Sequence, residues 1–223
     1  MKIFPVLFLT VFFISFNQIA LSQTLAPEED TQSWNEVQIA VPINRKLDFN
    51  LSAQFRFGRN FRDFVDENLG AGIGFTYKLN KYLQFAPSYT YIVNRPSQNR
   101  NAYENRINLP VTVISSKISG FTISDRNLFE RRWRKLVNSW RYRNRLQIER
   151  TFKPKGFEFR IFASDEVFYD FLAKSWVRNR FSIGVGKPIT KQLSFDVYYL
   201  RQNDGRSRPG NLHVIGTGLR IRF

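Results

Sequence analysis

The sequence predicts an all-β protein, a closed antiparallel transmembrane β-barrel of about ten to twelve strands. Three observations lead there. Apolar and polar residues alternate with a period of two in segment after segment, the signature of strands with one apolar face. The connections between segments alternate short and long, as short periplasmic turns and longer extracellular loops do. Aromatic residues gather at both ends of the segments, as they do at the two rims of a membrane barrel.

In chain order, Met1 and Lys2 precede an apolar run from Ile3 to Ala20, interrupted mildly by Thr10, Ser15, Asn17 and Gln18. Ala20-Leu21-Ser22 supplies the small residues of a signal-peptidase site, so residues 1–22 read as a secretory signal peptide with cleavage before Gln23. The rival is a membrane anchor helix, for which the run is near the lower length limit. Residues 23–33 read as a polar segment and residues 34–223 as the barrel. No other stretch is long and apolar enough for a transmembrane helix, so a membrane-embedded mature chain has to be a barrel.

The cleanest strand has Leu47, Phe49, Leu51, Ala53, Phe55 and Phe57 alternating with Asp48, Asn50, Ser52, Gln54 and Arg56. Next, Leu69, Ala71, Ile73, Phe75 and Tyr77 alternate with Gly70, Gly72, Gly74, Thr76 and Lys78. Further alternating runs cover 83–93, 106–113, 141–149 and 180–186, and weaker ones Trp34–Ile43, Ile118–Glu130, Phe157–Phe168 and Leu193–Arg201. In the last strand Thr217, Leu219, Ile221 and Phe223 face one way, and Gly216, Gly218, Arg220 and Arg222 the other. Each is near the length a tilted membrane strand requires.

Short turns are expected at 44–45, 80–81, 116–117, 153–156 and 187–191, and longer links at 58–66, 94–102, 131–138, 169–174 and 202–210. Trp34, Trp133, Trp140 and Trp176 fall on the long-link side, with Tyr77, Tyr82, Phe152 and Phe157 opposite. The count of strands comes to about eleven, whereas single-chain bacterial barrels have even numbers. A first strand at Trp34–Ile43 would run parallel to the last where the barrel closes. The alternatives are a weak segment that is really two strands, a first strand outside the wall, or residues 23–33 threaded through the lumen.

The chain carries 34 Lys and Arg against 18 Asp and Glu, one histidine and no cysteine. The basic excess points to anionic partners, and export argues against nucleic acid. A disulfide framework and a Cys metal site are excluded, and a lone histidine rules out a His-rich metal cluster. No metal or cofactor is expected. Alternation alone also fits a soluble, lipocalin-like barrel with its apolar face inward. The aromatic rims, the glycines on the polar face and the terminal Phe223 favour the membrane version.

That last strand resembles the C-terminal signal strand of bacterial outer-membrane barrels, which implies recognition of Phe223 by the barrel-assembly machinery and a location in the bacterial outer membrane. Wider resemblance lies in Ser33-Trp34-Asn35-Glu36, Asp125-Arg126-Asn127 with Glu130-Arg131, and Trp140 to Arg145. It continues in Ser164 to Tyr169, Asn179-Arg180 and Leu219 to Phe223. On these residues the mature chain resembles a family of outer-membrane proteins catalogued as DUF2490. The resemblance implies a barrel and no established activity.

Asn-Arg recurs at Asn105-Arg106, Asn144-Arg145 and Asn179-Arg180, each after a long link and so near one rim. By parity Arg106, Arg145 and Arg180 face the polar side, joined by Arg126, Arg143, Arg178 and further arginines. Glu36, Asp48, Glu104, Glu130, Glu149, Glu158, Glu166 and Asp196 are the candidate partners. Two readings compete. Paired Arg and Glu would fill a narrow lumen structurally, since a buried charge has to be paired. A surplus of arginine would instead bind or conduct anions, by the charge rings and bidentate forks that suit them. Arginines in the long links, among them Arg59, Arg62, Arg95, Arg131, Arg132 and Arg134, serve solubility or meet the anionic phosphates of outer-membrane lipids.

The expected function is therefore non-enzymatic: a structural or narrow anion-binding barrel. The alternative is a membrane-embedded lipid-modifying enzyme of lipase or acyltransferase type, for which only His213 is available. By parity His213 faces lipid, with no serine in its own strand and Ser194 on the opposite face. Asp165 and Glu166 point to opposite faces and make a poor acid–base couple.

Overall fold

The computed structural model describes residues 29–58, 63–97, 100–207 and 209–223. The expected signal peptide, its cleavage site and residues 23–28 lie outside these, as do Arg59, Arg62 and Arg208. The first six strands in chain order are β1 (Glu29–Pro42), β2 (Leu47–Gly58), β3 (Asp63–Lys78), β4 (Leu83–Phe85), β5 (Ser88–Ser97) and β6 (Arg100–Ile114). The rest are β7 (Phe121–Arg134), β8 (Ser139–Phe152), β9 (Phe159–Asp170), β10 (Ser175–Pro188), β11 (Leu193–Asp204) and β12 (Asn211–Arg222). A 3₁₀ turn at Pro154–Gly156 is the one helical element among the described residues.

β4 and β5 are two halves of one strand. Both pair with β3 and with β6, and Ala86-Pro87 separates them. Pro87 has no N–H to give the ladder, yet its carbonyl still accepts from Phe75 N at 3.0 Å, and Ala86 N donates to Pro110 O at 3.1 Å. The wall therefore has eleven strand positions. The barrel is closed by β1 against β12, in parallel, from Glu29 opposite Asn211 to Ala40 opposite Arg222. All other pairs are antiparallel. An odd ring of up-and-down strands has to contain one parallel pair, and it lies at the seam the sequence pointed to. The first strand is part of the wall and begins at Glu29, five positions ahead of the expected boundary at Trp34.

Strand takes up much of what read as longer links. β2 reaches Gly58 and β3 begins at Asp63, β5 and β6 extend to Ser97 and from Arg100, and β7 reaches Arg134. Arg131, Arg132 and Arg134 thus belong to the wall, not to a loop. The end bearing these connections is called here the loop side, and the opposite end the turn side.

The outer face is mostly apolar. Leu51, Ile73, Phe75, Val113, Leu146, Ile148, Ile183, Val185, Val197 and Ile215 are all exposed on it. Among the described residues no helix is long and apolar enough to cross a membrane. Three of the four tryptophans face outward at the loop side, where Trp176 meets Tyr142 and Tyr169 edge-on at 6.3 and 5.4 Å. Trp34 is the exception. It points into the lumen, 7% exposed, and packs with Leu200, Leu212 and Val214.

Candidate functional site in the lumen

The lumen has a sealed half and an open half. On the loop side, Glu104, Arg132, Ser139, Phe168, Gln202 and Asp204 are all buried. Glu104 accepts from Arg132 through both oxygens, at 2.5 and 3.0 Å, and from Arg106 at 2.6 Å. Asp204 holds Arg178 at 2.5 Å. Phe168, fully buried, lies beneath the guanidinium groups of Arg141, Arg143, Arg178 and Arg180, at 5.3, 4.6, 5.5 and 4.8 Å from its ring centre. A ring face carries partial negative charge, so four cations around one phenylalanine are each attracted to it while repelling one another. The carboxylates beside them make the arrangement stable.

Below this layer lies the central network. Glu130 accepts from Arg141 at 2.5 Å and from Arg143 at 2.8 Å. Arg143 continues to Glu166 at 2.9 Å, and Glu166 also accepts from Arg126 at 2.5 Å. Strand alternation creates this grid. Positions 126, 128 and 130 on β7, 141, 143 and 145 on β8, and 166 and 168 on β9 share one face of adjacent strands, with Arg126 opposite Arg145 and Arg145 opposite Glu166. A pair or triad this deep is held because each member would otherwise be an uncompensated buried charge.

The turn-side half encloses a cavity of about 970 Å³. Among the described residues eleven cationic side chains line it: Arg56, Arg106, Arg126, Arg141, Arg143, Arg145, Arg160, Arg180, Lys191, Arg220 and Arg222. Four acids among the described residues do: Glu36, Glu130, Glu166 and Asp196. Glu104, Asp48 and Glu149, beyond the lining, pair with Arg106, Arg222 and Arg160. A basic surplus remains after they are counted. Arg220 reaches Asp196, which Arg160 also contacts at 3.1 Å. Arg220 and Arg222 are half-exposed at the mouth.

Two of these cations meet Trp34. Arg56 stacks on its ring at 3.9 Å and Arg180 at 4.6 Å, while Arg180 Nε donates to Gln202 at 2.8 Å. Arg145 lines the cavity with no hydrogen bond or ion pair of its own among the described residues. Beside it Arg126 keeps one buried nitrogen, Nε, without a partner.

All six arginines singled out in the sequence point into the barrel. Arg106, Arg126, Arg143, Arg145 and Arg180 line the cavity, and Arg178 lies in the sealed layer above it. The Asn-Arg pairs are not at a rim, however. Arg145 sits midway along β8 and Arg106 midway along β6, because the strands extend past the expected boundaries. Of the acids named, Asp48, Glu104, Glu130, Glu149, Glu166 and Asp196 hold arginines in the lumen, Glu158 pairs with exposed Lys153, and Glu36 accepts from Gln38 at 2.8 Å. Sequence reasoning missed Asp204, Arg132, and the lumenal Trp34 and Phe168. Parity would have placed Phe168 inward with Glu166, but an aromatic on a polar face reads as noise without its arginine neighbours.

His213 faces outward. Its Nδ1 lies 2.7 Å from Tyr199 Oη, and its Nε2 meets Arg201, which in turn reaches Glu29 at 2.9 Å. Since a guanidinium can only donate, Nε2 is an acceptor and Nδ1 carries the proton.

With this geometry in view, the family model "Protein of unknown function (DUF2490)" matches residues 31–213. The chain belongs to this family. No curated protein matches it by sequence. Among solved structures, LpxR from Salmonella typhimurium superposes with a TM-score of 0.54 at 11% identity, covering 83% of this chain and 87% of that one. The NanC porin aligns with a TM-score of 0.43 at 12% identity, over 86% of this chain and 96% of that one. An anion-selective porin from Comamonas acidovorans gives 0.41 at 11% identity, over 82% of this chain and 56% of that one. At 11% identity the likeness to LpxR is one of fold alone, and this DUF2490 member is a closed barrel.

Proposed function

We propose that this DUF2490 protein is a non-enzymatic outer-membrane barrel whose lumen is a blind basic vestibule that binds small anions. In this reading the turn side faces the periplasm, the mouth between Arg220 and Arg222 admits the anion, and the Glu104–Arg132–Phe168 layer closes the far end. The observation that carries it is Arg145, a cavity-lining guanidinium without an ion pair, next to the unbonded Nε of Arg126. A carboxylate or phosphate there would gain bidentate, charge-assisted hydrogen bonds in a site shielded from bulk water.

What supports a non-enzymatic role is the setting of His213. Both ring nitrogens are engaged, a permanent cation sits on Nε2, and neither partner is a nucleophilic serine. A general base needs a free lone pair facing the group it deprotonates.

Trp34 provides the readout, since two arginines stack on it inside the cavity. In a variant with Trp133, Trp140 and Trp176 replaced by Phe, phosphate, sulfate or a small dicarboxylate should change Trp34 fluorescence saturably. Matched changes of cation should not. Arg145→Gln should abolish the response. A response that is absent, or unchanged by Arg145→Gln, would overturn the proposal.

A further inference from the structure

Outward-facing residues of a membrane barrel are expected to be apolar, and part of the outer face of β7 and β8 is not, nor is the neighbouring Asp165 on β9, which accepts from Asn179 of β10 at 2.8 Å. Reading β8 from the turn side, the outward positions are Arg150, Ile148, Leu146, Asn144, Tyr142 and Trp140. A tilted strand climbs roughly 2.5 Å per residue along the barrel axis. The span from Arg150 to Trp140 thus matches an apolar band about 25 Å tall, and Asn144 lies about 10 Å inside its loop-side edge.

Four polar side chains meet at that depth on the outer face. Asn144 Nδ2 donates to Asp125 Oδ1 at 2.5 Å and to Asn127 Oδ1 at 3.3 Å. Tyr142 Oη donates to Asn127 Oδ1 at 2.5 Å, and Asn127 Nδ2 lies 3.4 Å from Asp125 Oδ2. No Lys or Arg pairs with Asp125 among the described residues. A carboxylate left facing hydrocarbon with only amide donors carries a desolvation cost that a further donor would relieve.

Directly above, four residues from Asn127 on the same strand face, Arg131 also points outward. Its guanidinium lies between two tryptophans, 5.6 Å from the Trp133 ring and 5.4 Å from the Trp140 ring, with no carboxylate on it among the described residues. Lys135 follows in the next turn, exposed. The opposite rim offers a contrast. Arg150 stacks on Phe121 and Phe152 at 5.0 and 5.2 Å, but the outward positions near it, Ile123, Ile148 and Leu146, are apolar. A cation over aromatics is thus common to both rims, and the polar cluster beneath it is special to one.

We propose that the outer face of β7 and β8 binds a phosphate-bearing lipid whose linkages beneath the headgroup carry N–H or O–H donors. Arg131 holds the phosphate at the membrane edge. The acyl chains run down past Phe129 and Leu146, and the amide or hydroxyl groups at their head reach Asp125, Asn127 and Asn144. Charge complementarity selects the phosphate, and the acceptor surplus at Asp125 selects donors over plain esters.

Native mass spectrometry of the purified barrel in detergent tests this with four probes: ceramide 1-phosphate, phosphatidic acid, ceramide and inorganic phosphate. Ceramide 1-phosphate should bind best, phosphatidic acid less well, and ceramide weakest of the lipids. Arg131→Gln should weaken both phosphate lipids about fivefold, the effect of one basic residue at an anionic surface. Asn144→Leu should weaken ceramide 1-phosphate about threefold and leave phosphatidic acid unchanged, as befits one hydrogen bond in lipid. Arg150→Gln should change nothing, and Arg131→Lys should retain most binding. Heat-modifiable gel mobility confirms that each variant is folded. Equal retention of all three lipids, an effect of Arg150→Gln equal to that of Arg131→Gln, or displacement of lipid by inorganic phosphate alone would overturn the proposal.

Discussion

Arg222 donates two hydrogen bonds to Asp48, at 2.5 and 2.9 Å, across the intervening strand β1. The pair joins the last strand to the second and so clamps the parallel seam from inside the lumen. Asp48 is nearly buried and also meets Lys78 at 2.7 Å. Arg222→Gln should therefore destabilise without unfolding, by about 1.5–3 kcal/mol, the range for hydrogen bonds to charged groups. Urea unfolding of the refolded barrel, followed by gel mobility, measures it. A loss below a few tenths of a kcal/mol would show that Lys78 alone suffices.

Glu166 anchors more of the network than any one arginine does. Replacing it with Gln leaves Arg126 without an ion pair among the described residues and Arg143 with Glu130 alone, and should cost about 3–5 kcal/mol, as removing one partner of a buried pair does. Replacing Glu130 together with Arg141 by Gln and Leu should cost less than Glu130→Gln alone. The same unfolding titration checks both, and a reversed order would contradict the network described here.

In planar bilayers the wild-type protein should show no steady conductance, because Phe168 and the Glu104–Arg132 pair occupy the loop-side half. Phe168→Ala combined with Arg132→Ala should open a path, and its current should favour anions given the basic lining. A steady wild-type conductance would refute the sealed lumen.

The orientation of the tryptophans can be read separately. Single-tryptophan variants in bilayers of brominated lipid should show quenching for Trp133, Trp140 and Trp176 and little for Trp34. Strong quenching of Trp34 would place β1 the other way round.

Gly216 lies under the Tyr198 ring, where a Cβ would collide with the ring atoms. Gly216→Ala should shift Tyr198 into the cavity and cost about 1–3 kcal/mol, the usual price of overpacking. A crystal structure of the variant, or a calorimetric scan, would detect either effect.

Much of this was legible in the alternation. Parity placed Arg106, Arg126, Arg143, Arg145, Arg178 and Arg180 on the polar face, since a period of two leaves no freedom once one neighbour is fixed, and the aromatic rims and Phe223 were needed to make that face the inner one. The alternation also yielded a count of about eleven strands within a range of ten to twelve, while the parallel closure that an odd count forces read as a misfit with other arrangements open. Strand ends were less legible: Arg132 and Arg134 lie among charged residues that resemble a loop, and only the ladder with β6 and β8 shows them to be strand. Trp34 misled for a related reason. Its position near a strand end suits a membrane rim, but the side it faces depends on pairing with Gly216, which supplies the room. The Glu104–Arg132 and Arg178–Asp204 pairs join neighbouring strands across hairpins, so spacing along one strand could not reveal them.

The parallel seam also sets an order of events. Every antiparallel neighbour in the wall follows its partner in sequence, so hairpins can zip one onto the next with short loops to close. β1 and β12 alone have to find each other from opposite ends of the chain, and their slanted hydrogen bonds are slightly weaker per residue than those of an antiparallel pair. The ring is therefore an open, curling sheet until its final step. Its last unsatisfied edges are β1 and β12, and at that moment the cylinder is vulnerable to a foreign strand.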